Sequence, residues 1–275
     1  MEGKIFLPVV AGPTASGKTA LAVQLAERFD GEVVSADSMQ IYSDLKIGTA
    51  RPSEQEMMGV PHHLTGFVPL SARYSVADYV GDAKRVISGI VSRGKQPILC
   101  GGTGLYIDSL VDNLVFSEDR ENPKLREHLK KRAEEEGAKA LLEELRGIDP
   151  KTAERLHPNN LGRIIRALEL YYNTGMTMSE QIERSRRQPS PYRPCILVLC
   201  CKNRKVLYQR INRRVDDMIK AGLLDEARYV NSLPAAPTAR QAIGYKEFVP
   251  YFAGEIPLEK AIENLKQATR RYAKR

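Results

Sequence analysis

The chain has 275 residues, enough for one large domain or two modest ones, and its 42% hydrophobic content excludes an intrinsically disordered protein. Its formal net charge of +8 is compatible with a nucleic-acid partner but does not require one. No stretch reaches the roughly 18 apolar residues that a membrane span needs, so we expect a cytoplasmic protein.

The first predicted elements are a strand, a glycine-rich loop and a helix. Residues 4–11 form an apolar run typical of a buried strand, and "GPTASGKT" leads from it into a predicted helix over residues 18–29. Its G-x-x-x-x-G-K-[ST] spacing is that of a loop whose backbone N–H groups wrap phosphates. We therefore predict that Lys18 reaches the terminal phosphate, that Thr19 binds Mg²⁺, and that the phosphates are held by Gly12, Pro13, Thr14, Ala15, Ser16, Gly17, Lys18 and Thr19.

A second strand is predicted in "GEVVSADS", ending near Asp37. In a parallel sheet, a carboxylate at the end of this strand lies beside the phosphate loop, where ligands bind. Asp37 is therefore a candidate general base or a ligand of Mg²⁺ through water. The alternative is a helix N-cap at a strand–helix turn, given the Ser38 that follows.

A third strand, in "QPILCGGTG", follows a predicted helix over residues 75–94 and runs into Gly101 and Gly102. Most NTP hydrolases place an acidic residue here to hold Mg²⁺, so the two glycines disfavour a motor or a GTPase. We interpret them as allowing a substrate to approach the backbone, with the Thr103 hydroxyl beside it. A plain tight turn is the alternative, and "PHHL" at 61–64 is predicted to be a structural turn.

The sequence pattern changes near residue 115, and from there to residue 190 it is helical and highly charged. A linker is predicted over 186–194, a strand over 195–201, and helices over 205–220, 223–232 and 257–273. Short apolar strands that alternate with helices indicate a parallel sheet. The predicted fold is α/β, with a P-loop NTPase-like parallel sheet core flanked by helices (residues 1–114 and 191–275) and a helical insertion domain (residues 115–190).

Two further groups of residues have predictable environments. Three of the four cysteines lie in apolar runs, so we expect them to be buried and expect neither disulfides nor a zinc site. On a helix, Arg210, Arg213 and Arg214 cover about one turn, and at least one of them could face phosphates. A solvated basic face is the alternative, and the pattern does not say which arginine points inward.

Eight motifs occur in a fixed order, and together they closely resemble the tRNA dimethylallyltransferases, also called tRNA isopentenyltransferases, over residues 5–275. They are "GPTASGKT", "DSMQIY", "IGTARP", "PHHL", "GGTGLY", "RIIRALE", "RRVDDM" and "AIGYKE". The resemblance implies transfer of a dimethylallyl group from dimethylallyl diphosphate to the exocyclic amine of the adenosine just 3′ of a tRNA anticodon. It also implies Mg²⁺, a leaving diphosphate, a monomer and no obligate protein partner.

The resemblance also implies roles for individual residues. Asp37 matches the catalytic base, Arg214 the arginine on the departing diphosphate, and Thr103 the threonine that helps to position the diphosphate and the adenine. The implied tRNA contacts are Asp37, Ser38, Met39, Gln40, Thr103, Arg126, Gly162, Arg163, Ile164, Ile165, Arg166, Ala242, Ile243, Gly244, Tyr245, Lys246, Glu247, Lys274 and Arg275. Family members continue past "YAKR" with a segment that touches RNA, so we expect the end at Arg275 to affect RNA affinity more than the chemistry.

Three other functions remain open at this point. A small-molecule kinase would use the same loop but would depend on ATP and leave the basic insertion without a purpose. A prenyltransferase of free adenylate would act on AMP with no tRNA present. An RNA-binding module with a vestigial loop would bind tRNA without any effect of dimethylallyl diphosphate.

Overall fold

A computed structural model of the chain describes residues 3–116, 122–233 and 236–274. These residues form two compact units. One comprises Met1–Val111 and Pro191–Arg275, and the other comprises Asp112–Ser190. The catalytic role predicted for residues 1–114 and 191–275, and the tRNA contacts predicted for 115–190, stay predictions.

The first unit is built on one parallel sheet of five strands, which confirms the predicted α/β class. Its strands are β1 (Ile5–Ala11), β2 (Gly31–Ser35), β3 (His62–His63), β4 (Gln96–Gly101) and β5 (Tyr192–Val198). Their order in the sheet is β3-β2-β4-β1-β5, so β2 and β4 lie side by side, as do β4 and β1. The segments that follow β1, β2 and β4 therefore emerge at the same edge of the sheet, where ligands of parallel sheets bind.

The part of the chain that the structure describes also contains fourteen α-helices and two short 3₁₀ helices, at Pro158–Asn160 and Lys246–Phe248. The α-helices are α1 (Lys18–Arg28), α2 (Glu54–Met57), α3 (Val76–Ser92), α4 (Gly104–Val111), α5 (Pro123–Glu135), α6 (Ala138–Ile148), α7 (Pro150–Ala153), α8 (Leu161–Thr174), α9 (Met178–Arg186), α10 (Arg204–Lys220), α11 (Leu223–Ser232), α12 (Pro237–Arg240), α13 (Val249–Phe252) and α14 (Leu258–Lys274). No described helix is both long and apolar enough to cross a membrane.

Local sequence explains where the helices begin and which face they bury. Ser75 and Asp78 form a capping box at the start of α3, and each side chain accepts the other residue's backbone N–H. The buried residues of α3 recur at helical spacing and pack one face of the helix into the core: Tyr79, Val80, Ala83, Ile87 and Ile90. Because these signals are local, the helix predicted over 75–94 is found.

The C-terminal helices of the first unit share a core with the loop region that follows β2. Ile41, Tyr42 and Leu45 of that region belong to one apolar cluster with Val215 of α10 and Leu223 of α11. A second cluster joins α1 to the central strands through Ala22, Val23, Val33 and Ile98. The segment after β2 is therefore clamped by packing contacts from residues roughly 180 positions later in the chain.

The second unit has an apolar core of its own, made by α5, α6, α7 and α8. The core residues include Leu129, Leu141, Leu145, Ile164 and Leu168. Asp149 caps α7 by accepting the Thr152 backbone N–H at 3.1 Å.

Three local predictions are wrong. His62–His63 form a short parallel edge strand against Val33 and Val34, not a turn alone. β5 begins at Tyr192, inside the predicted linker, because its register with β1 starts at Ile5. None of the four cysteines is fully buried, and Cys195 and Cys200 are exposed. β5 is an edge strand, exposed beyond its first residue, so the apolar run around Cys195 is not core.

Candidate active site

The phosphate loop joins β1 to α1, and its first glycine is required by the fold. Gly12 has φ 143°, and a Cβ there would lie 2.5 Å from the carbonyl oxygen of Leu199. The segment that follows β5 therefore passes directly against the loop. Any side chain at position 12 would push this segment away, so the glycine serves packing as well as the path of the loop.

The loop leaves donors available at the N-terminus of α1. Gly17 occupies the N-cap position with φ 93°, and no side chain caps the helix there. Ala15 also has a positive φ, 60°, which turns the backbone between two glycines and is uncommon for a residue with a side chain. The Ser16 hydroxyl is buried and has no hydrogen-bond partner among the described residues. Uncapped N–H groups with an unpartnered hydroxyl are the arrangement that an anion satisfies.

Two cations lie at this loop. The Lys18 ammonium donates to the carbonyl oxygen of Pro13 at 2.7 Å, and Arg214 Nη1 donates to the Thr14 hydroxyl at 3.2 Å. Arg214 is thus the inward-facing arginine of α10, whereas Arg210 and Arg213 are exposed. The sequence pattern alone left this choice open.

Burial perturbs both cations. It lowers the pKa of Lys18, with a further lowering by Arg214, and the charges of Cys100 and Asp37 oppose the change. Burial also lowers the pKa of Arg214, opposed by Glu56 and Asp37. Two partly desolvated cations close to each other favour a ligand that carries negative charge. Attraction to such a ligand offsets both the repulsion between the cations and the free-energy cost of burying them.

Asp37 lies two residues after β2 and is held by a local turn. Its Oδ1 accepts the backbone N–H groups of Met39 at 2.9 Å and Gln40 at 3.3 Å. Among the described residues, Oδ2 accepts no hydrogen bond. The turn therefore orients the carboxylate through one oxygen and leaves the other available. The helix N-cap that was the alternative for Asp37 is absent, because a turn and not a described helix follows it.

Thr103 faces the same segment from the end of β4. Its hydroxyl accepts the Ser38 backbone N–H at 3.0 Å and donates to the Ser38 hydroxyl at 3.3 Å. Gly101, two residues earlier, has a backbone reason to be glycine: a Cβ would lie 2.1 Å from the carbonyl oxygen of Ala36. The protein backbone, and not a need for substrate space, therefore excludes a side chain at position 101. At Gly102 the nearest atom to a Cβ would be 3.9 Å away.

The predicted tRNA contacts between Asp37 and Gln40 differ in what their side chains do. Met39 packs against the apolar cluster formed with the C-terminal helices. The Gln40 amide donates to the carbonyl oxygens of Thr49 and Ala50, each at 3.2 Å. Gln40 is thus engaged with the protein backbone, so its predicted contact with RNA would compete with these bonds.

The "AIGYKE" stretch divides into buried and exposed residues. Tyr245 is fully buried, so its side chain is not available to RNA, and the predicted tRNA contact of this residue stays a prediction for its backbone alone. Its hydroxyl donates to Glu226 at 2.9 Å, and burial followed by the Glu226 charge raises the pKa of this phenol far above its ordinary value. Gly244 is buried, and its N–H donates to Glu247 at 2.9 Å.

Of the other contacts predicted in this stretch, Lys246 is exposed. Ala242 and Ile243 pack against the apolar cluster. Lys274 is exposed at the end of α14, and Arg275 lies outside the described residues.

The tRNA contacts predicted in the second unit also divide into buried and accessible side chains. Ile164 and Ile165 belong to its core and are at most 3% exposed, so their side chains are not available to RNA. Gly162 and Arg163 are exposed at the start of α8. Arg126 and Arg166 remain accessible, and both pair with the buried carboxylate of Glu169, at 2.6 and 3.5 Å.

Some residues near the site were not found by sequence reasoning. Burial raises the pKa of the Tyr272 phenol on α14, and the negative charge of Asp37 raises it further. Tyr79 and Tyr106 stack with ring centroids 4.0 Å apart, and the Tyr79 hydroxyl donates to the carbonyl oxygen of Ser35 at the end of β2. Helical spacing marks Tyr79 as core, but no local signal places Tyr272 near a strand end.

Two family models match the chain. The model described as "IPP transferase" covers residues 40–275, and the model described as "Isopentenyl transferase" covers residues 5–64. The first spans more than half of the chain.

Curated relatives match along nearly the whole chain. The tRNA dimethylallyltransferase of Caldanaerobacter subterraneus subsp. tengcongensis is 49% identical over 276 residues, which cover 98% of this chain and 87% of that protein. The tRNA dimethylallyltransferase of Bacillus subtilis is 45% identical over 269 residues, which cover 97% and 85% of the two chains.

Solved structures agree with these matches. A tRNA isopentenylpyrophosphate transferase from Bacillus halodurans is 43% identical, with a TM-score of 0.69 over 98% of this chain and 85% of that one. A eukaryotic dimethylallyltransferase acting on tRNA is 33% identical, with a TM-score of 0.82 over 98% and 68%. With the phosphate loop, its two cations and Asp37 assembled at one edge of the sheet, these matches show that the chain belongs to the family of the tRNA dimethylallyltransferases.

Proposed function

We propose that this protein transfers a dimethylallyl group from dimethylallyl diphosphate to the exocyclic amine of the adenosine on the 3′ side of a tRNA anticodon. One observation carries the proposal. Lys18 and Arg214 bond to the phosphate loop at Pro13 and Thr14, and Asp37 follows β2 at the edge of the sheet where this loop follows β1. A diphosphate site and a carboxylate that can accept a proton are thus adjacent.

The diphosphate is the leaving group. Lys18, Arg214 and the uncapped N–H groups at the start of α1 meet the negative charge that grows as the C–O bond breaks. These donors are already held by the loop, so little reorganisation is needed when the charge develops. The allylic carbon tolerates positive charge, which makes departure of the diphosphate the main barrier.

Mg²⁺ fits this site through Thr19. Proteins usually hold Mg²⁺ by one or two oxygens and leave its other positions to phosphate oxygens and water. The Thr19 hydroxyl is half-buried at the start of α1, directly after Lys18, and supplies one such oxygen. When bound, the ion would neutralise part of the charge of the leaving diphosphate.

Asp37 accepts the proton of the attacking amine. The lone pair of an adenine amine is delocalised into the ring, so it becomes a good nucleophile only as its proton departs. The new C–N bond forms as the C–O bond to diphosphate breaks, and the proton passes to Oδ2 of Asp37. The turn on Oδ1 holds the carboxylate in place meanwhile, and Thr103 fixes the neighbouring Ser38.

The adenosine must leave the anticodon-loop stack to reach a carboxylate at a strand end. Single-stranded loops are the usual targets of sequence-specific RNA recognition, and exposed cations suit their phosphates. Lys246 of the first unit and Arg163 of the second are exposed, and Arg166 of the second is partly exposed, which supports such contacts. Arg126 shares the buried Glu169 with Arg166 and is the fourth cation of this kind.

An acceptor assay tests the proposal. The chain is incubated with labelled dimethylallyl diphosphate, Mg²⁺ and either unmodified tRNA or AMP. We expect label in tRNA and none in AMP. Label in AMP alone would make the protein a prenyltransferase of free adenylate, and tRNA binding without transfer would leave an RNA-binding module.

A further inference from the structure

Three consecutive backbone N–H groups after Leu45 converge on one carboxylate of a distant helix. Glu226 of α11 accepts Lys46 N at 2.8 Å and Ile47 N at 3.0 Å on Oε2, and Gly48 N at 2.7 Å on Oε1. The Tyr245 hydroxyl donates to the same Oε1 at 2.9 Å. One side chain thus holds four donors, three of which belong to the first part of "IGTARP" and the residue before it.

The loop is also fixed by shape. A Cβ at Gly48 would lie 2.6 Å from the Tyr245 hydroxyl, so the loop passes directly over this buried ring. Because a carboxylate only accepts hydrogen bonds, Glu226 matches four donors in a way that an amide of the same shape does not.

The other end of this loop is tied to the turn that holds Asp37. The Gln40 side-chain amide donates to the carbonyl oxygens of Thr49 and Ala50, both at 3.2 Å. The backbone N–H of the same Gln40 donates to Oδ1 of Asp37 at 3.3 Å. Glu226 is therefore linked to Asp37 by contiguous hydrogen bonds and backbone.

We propose that Glu226 is a positioning residue for Asp37, acting through the backbone of residues 46–50 and the side chain of Gln40. We call these groups, with Tyr245, the Glu226 brace. The inference rests on the proposed function, because it takes Asp37 to be the proton acceptor. It also gives "IGTARP" and "AIGYKE" one shared task, which is to fix the carboxylate that faces the amine.

The first test is Glu226→Gln, which keeps the shape and places an amide donor against backbone donors. We expect kcat for transfer to tRNA to fall between about tenfold and a hundredfold, since a misplacement near 1 Å can cost that much. The KM for dimethylallyl diphosphate should stay unchanged, because the brace does not touch the phosphate loop. Asp225→Asn is the matched control, since this neighbouring side chain is 83% exposed and pairs with Arg228 one turn away.

A second readout does not depend on activity. In Glu226→Gln, the amides of residues 46–48 should exchange hydrogen faster, and so should those of Met39 and Gln40, while α1 keeps its protection. If Glu226→Gln does not fold, Tyr245→Phe removes one of the four bonds and keeps the ring. It should give a smaller change of the same kind in kcat and in exchange.

Two results would overturn the inference. One is a variant that unfolds more easily but keeps the parental kcat per folded molecule, which would make the carboxylate purely structural. The other is faster exchange at residues 46–48 with none at Met39 and Gln40, which would break the link. If the parent chain transfers no dimethylallyl group, the proposed function fails, and the exchange data still decide whether Glu226 holds the Asp37 turn.

Discussion

Replacing Gly101 by alanine should damage both stability and catalysis, for a reason that lies in the backbone. The added Cβ would lie 2.1 Å from the Ala36 carbonyl oxygen and 2.4 Å from its carbon. An ordinary contact begins near 3.4 Å, so the ends of β2 and β4 would have to separate by about 1.3 Å. This carbonyl is not the far end of a flexible side chain, so relaxation is expensive.

The expected magnitude follows from what the separation breaks. Ala36 N donates to the Cys100 carbonyl oxygen at 2.8 Å, and Thr103 N donates to the Ala36 carbonyl oxygen at 3.0 Å. Overpacking costs about 1–3 kcal/mol, and weakening these two bonds adds about 1 kcal/mol, so we expect a loss of about 2–4 kcal/mol in the free energy of unfolding. Asp37 follows Ala36 directly, so a shift near 1 Å should also lower the transfer rate about a hundredfold.

Urea unfolding and the tRNA transfer assay measure the two effects, and Gly102→Ala is the matched control for stability. A Cβ at Gly102 would find its nearest atom, the Gly12 carbonyl oxygen, at 3.9 Å. Unfolding of Gly101→Ala at the parental urea concentration, or an equal loss of stability in both alanine variants, would contradict a steric clash at Ala36.

Three further predictions concern the chemistry and the RNA. Asp37→Asn keeps an oxygen for the Met39 and Gln40 amides, so stability should hold within about 1 kcal/mol while the transfer rate falls about 10²–10⁴-fold; equal rates would contradict the proton-accepting role. Burial, aided by Arg214, lowers the pKa of Lys18 in the folded chain below 10.5. Between this lowered pKa and 10.5, the unfolded chain therefore binds more protons than the folded chain does. Stability should rise with pH there, kcat/KM for dimethylallyl diphosphate should fall, and the fall should vanish in Lys18→Arg. Arg163→Ala should reduce the slope of log Kd for tRNA against log salt by about one, whereas an unchanged slope would remove this exposed cation from the RNA contacts.

The central elements of the fold could be predicted because their signals are local. The apolar run over residues 4–11, the loop spacing and the capping box at Ser75 each depend on a few neighbouring residues. β3 was missed because two residues carry no periodicity, and it becomes a strand only by pairing with β2. The expected burial of Cys195 in β5 is wrong because an apolar run does not reveal that its strand is at an edge.

In the candidate site, too, local signals could be predicted and long-range contacts could not. Lys18 and Asp37 could be predicted because a loop and a strand end position them. The arginine pattern alone does not separate Arg214 from its neighbours, and only the motif resemblance names it. The helix orientation gives the physical reason, which is the hydrogen bond to Thr14 across 200 positions of sequence. The motif resemblance includes Tyr245 among the tRNA contacts, but a motif does not reveal that the side chain at this position is buried. The four bonds on Glu226 are long-range and leave no local pattern.

The central claim is that the phosphate loop holds a leaving group, and the fate of the phosphorus tests it most directly. Dimethylallyl diphosphate labelled in both the allyl carbons and the diphosphate is incubated with the chain, Mg²⁺ and unmodified tRNA, with terminally labelled ATP in a parallel reaction. We predict that the carbon label enters tRNA and that an equal amount of phosphorus label leaves as diphosphate, without any need for ATP. Phosphate transfer from ATP with no prenylation would contradict the account and make the loop that of a kinase.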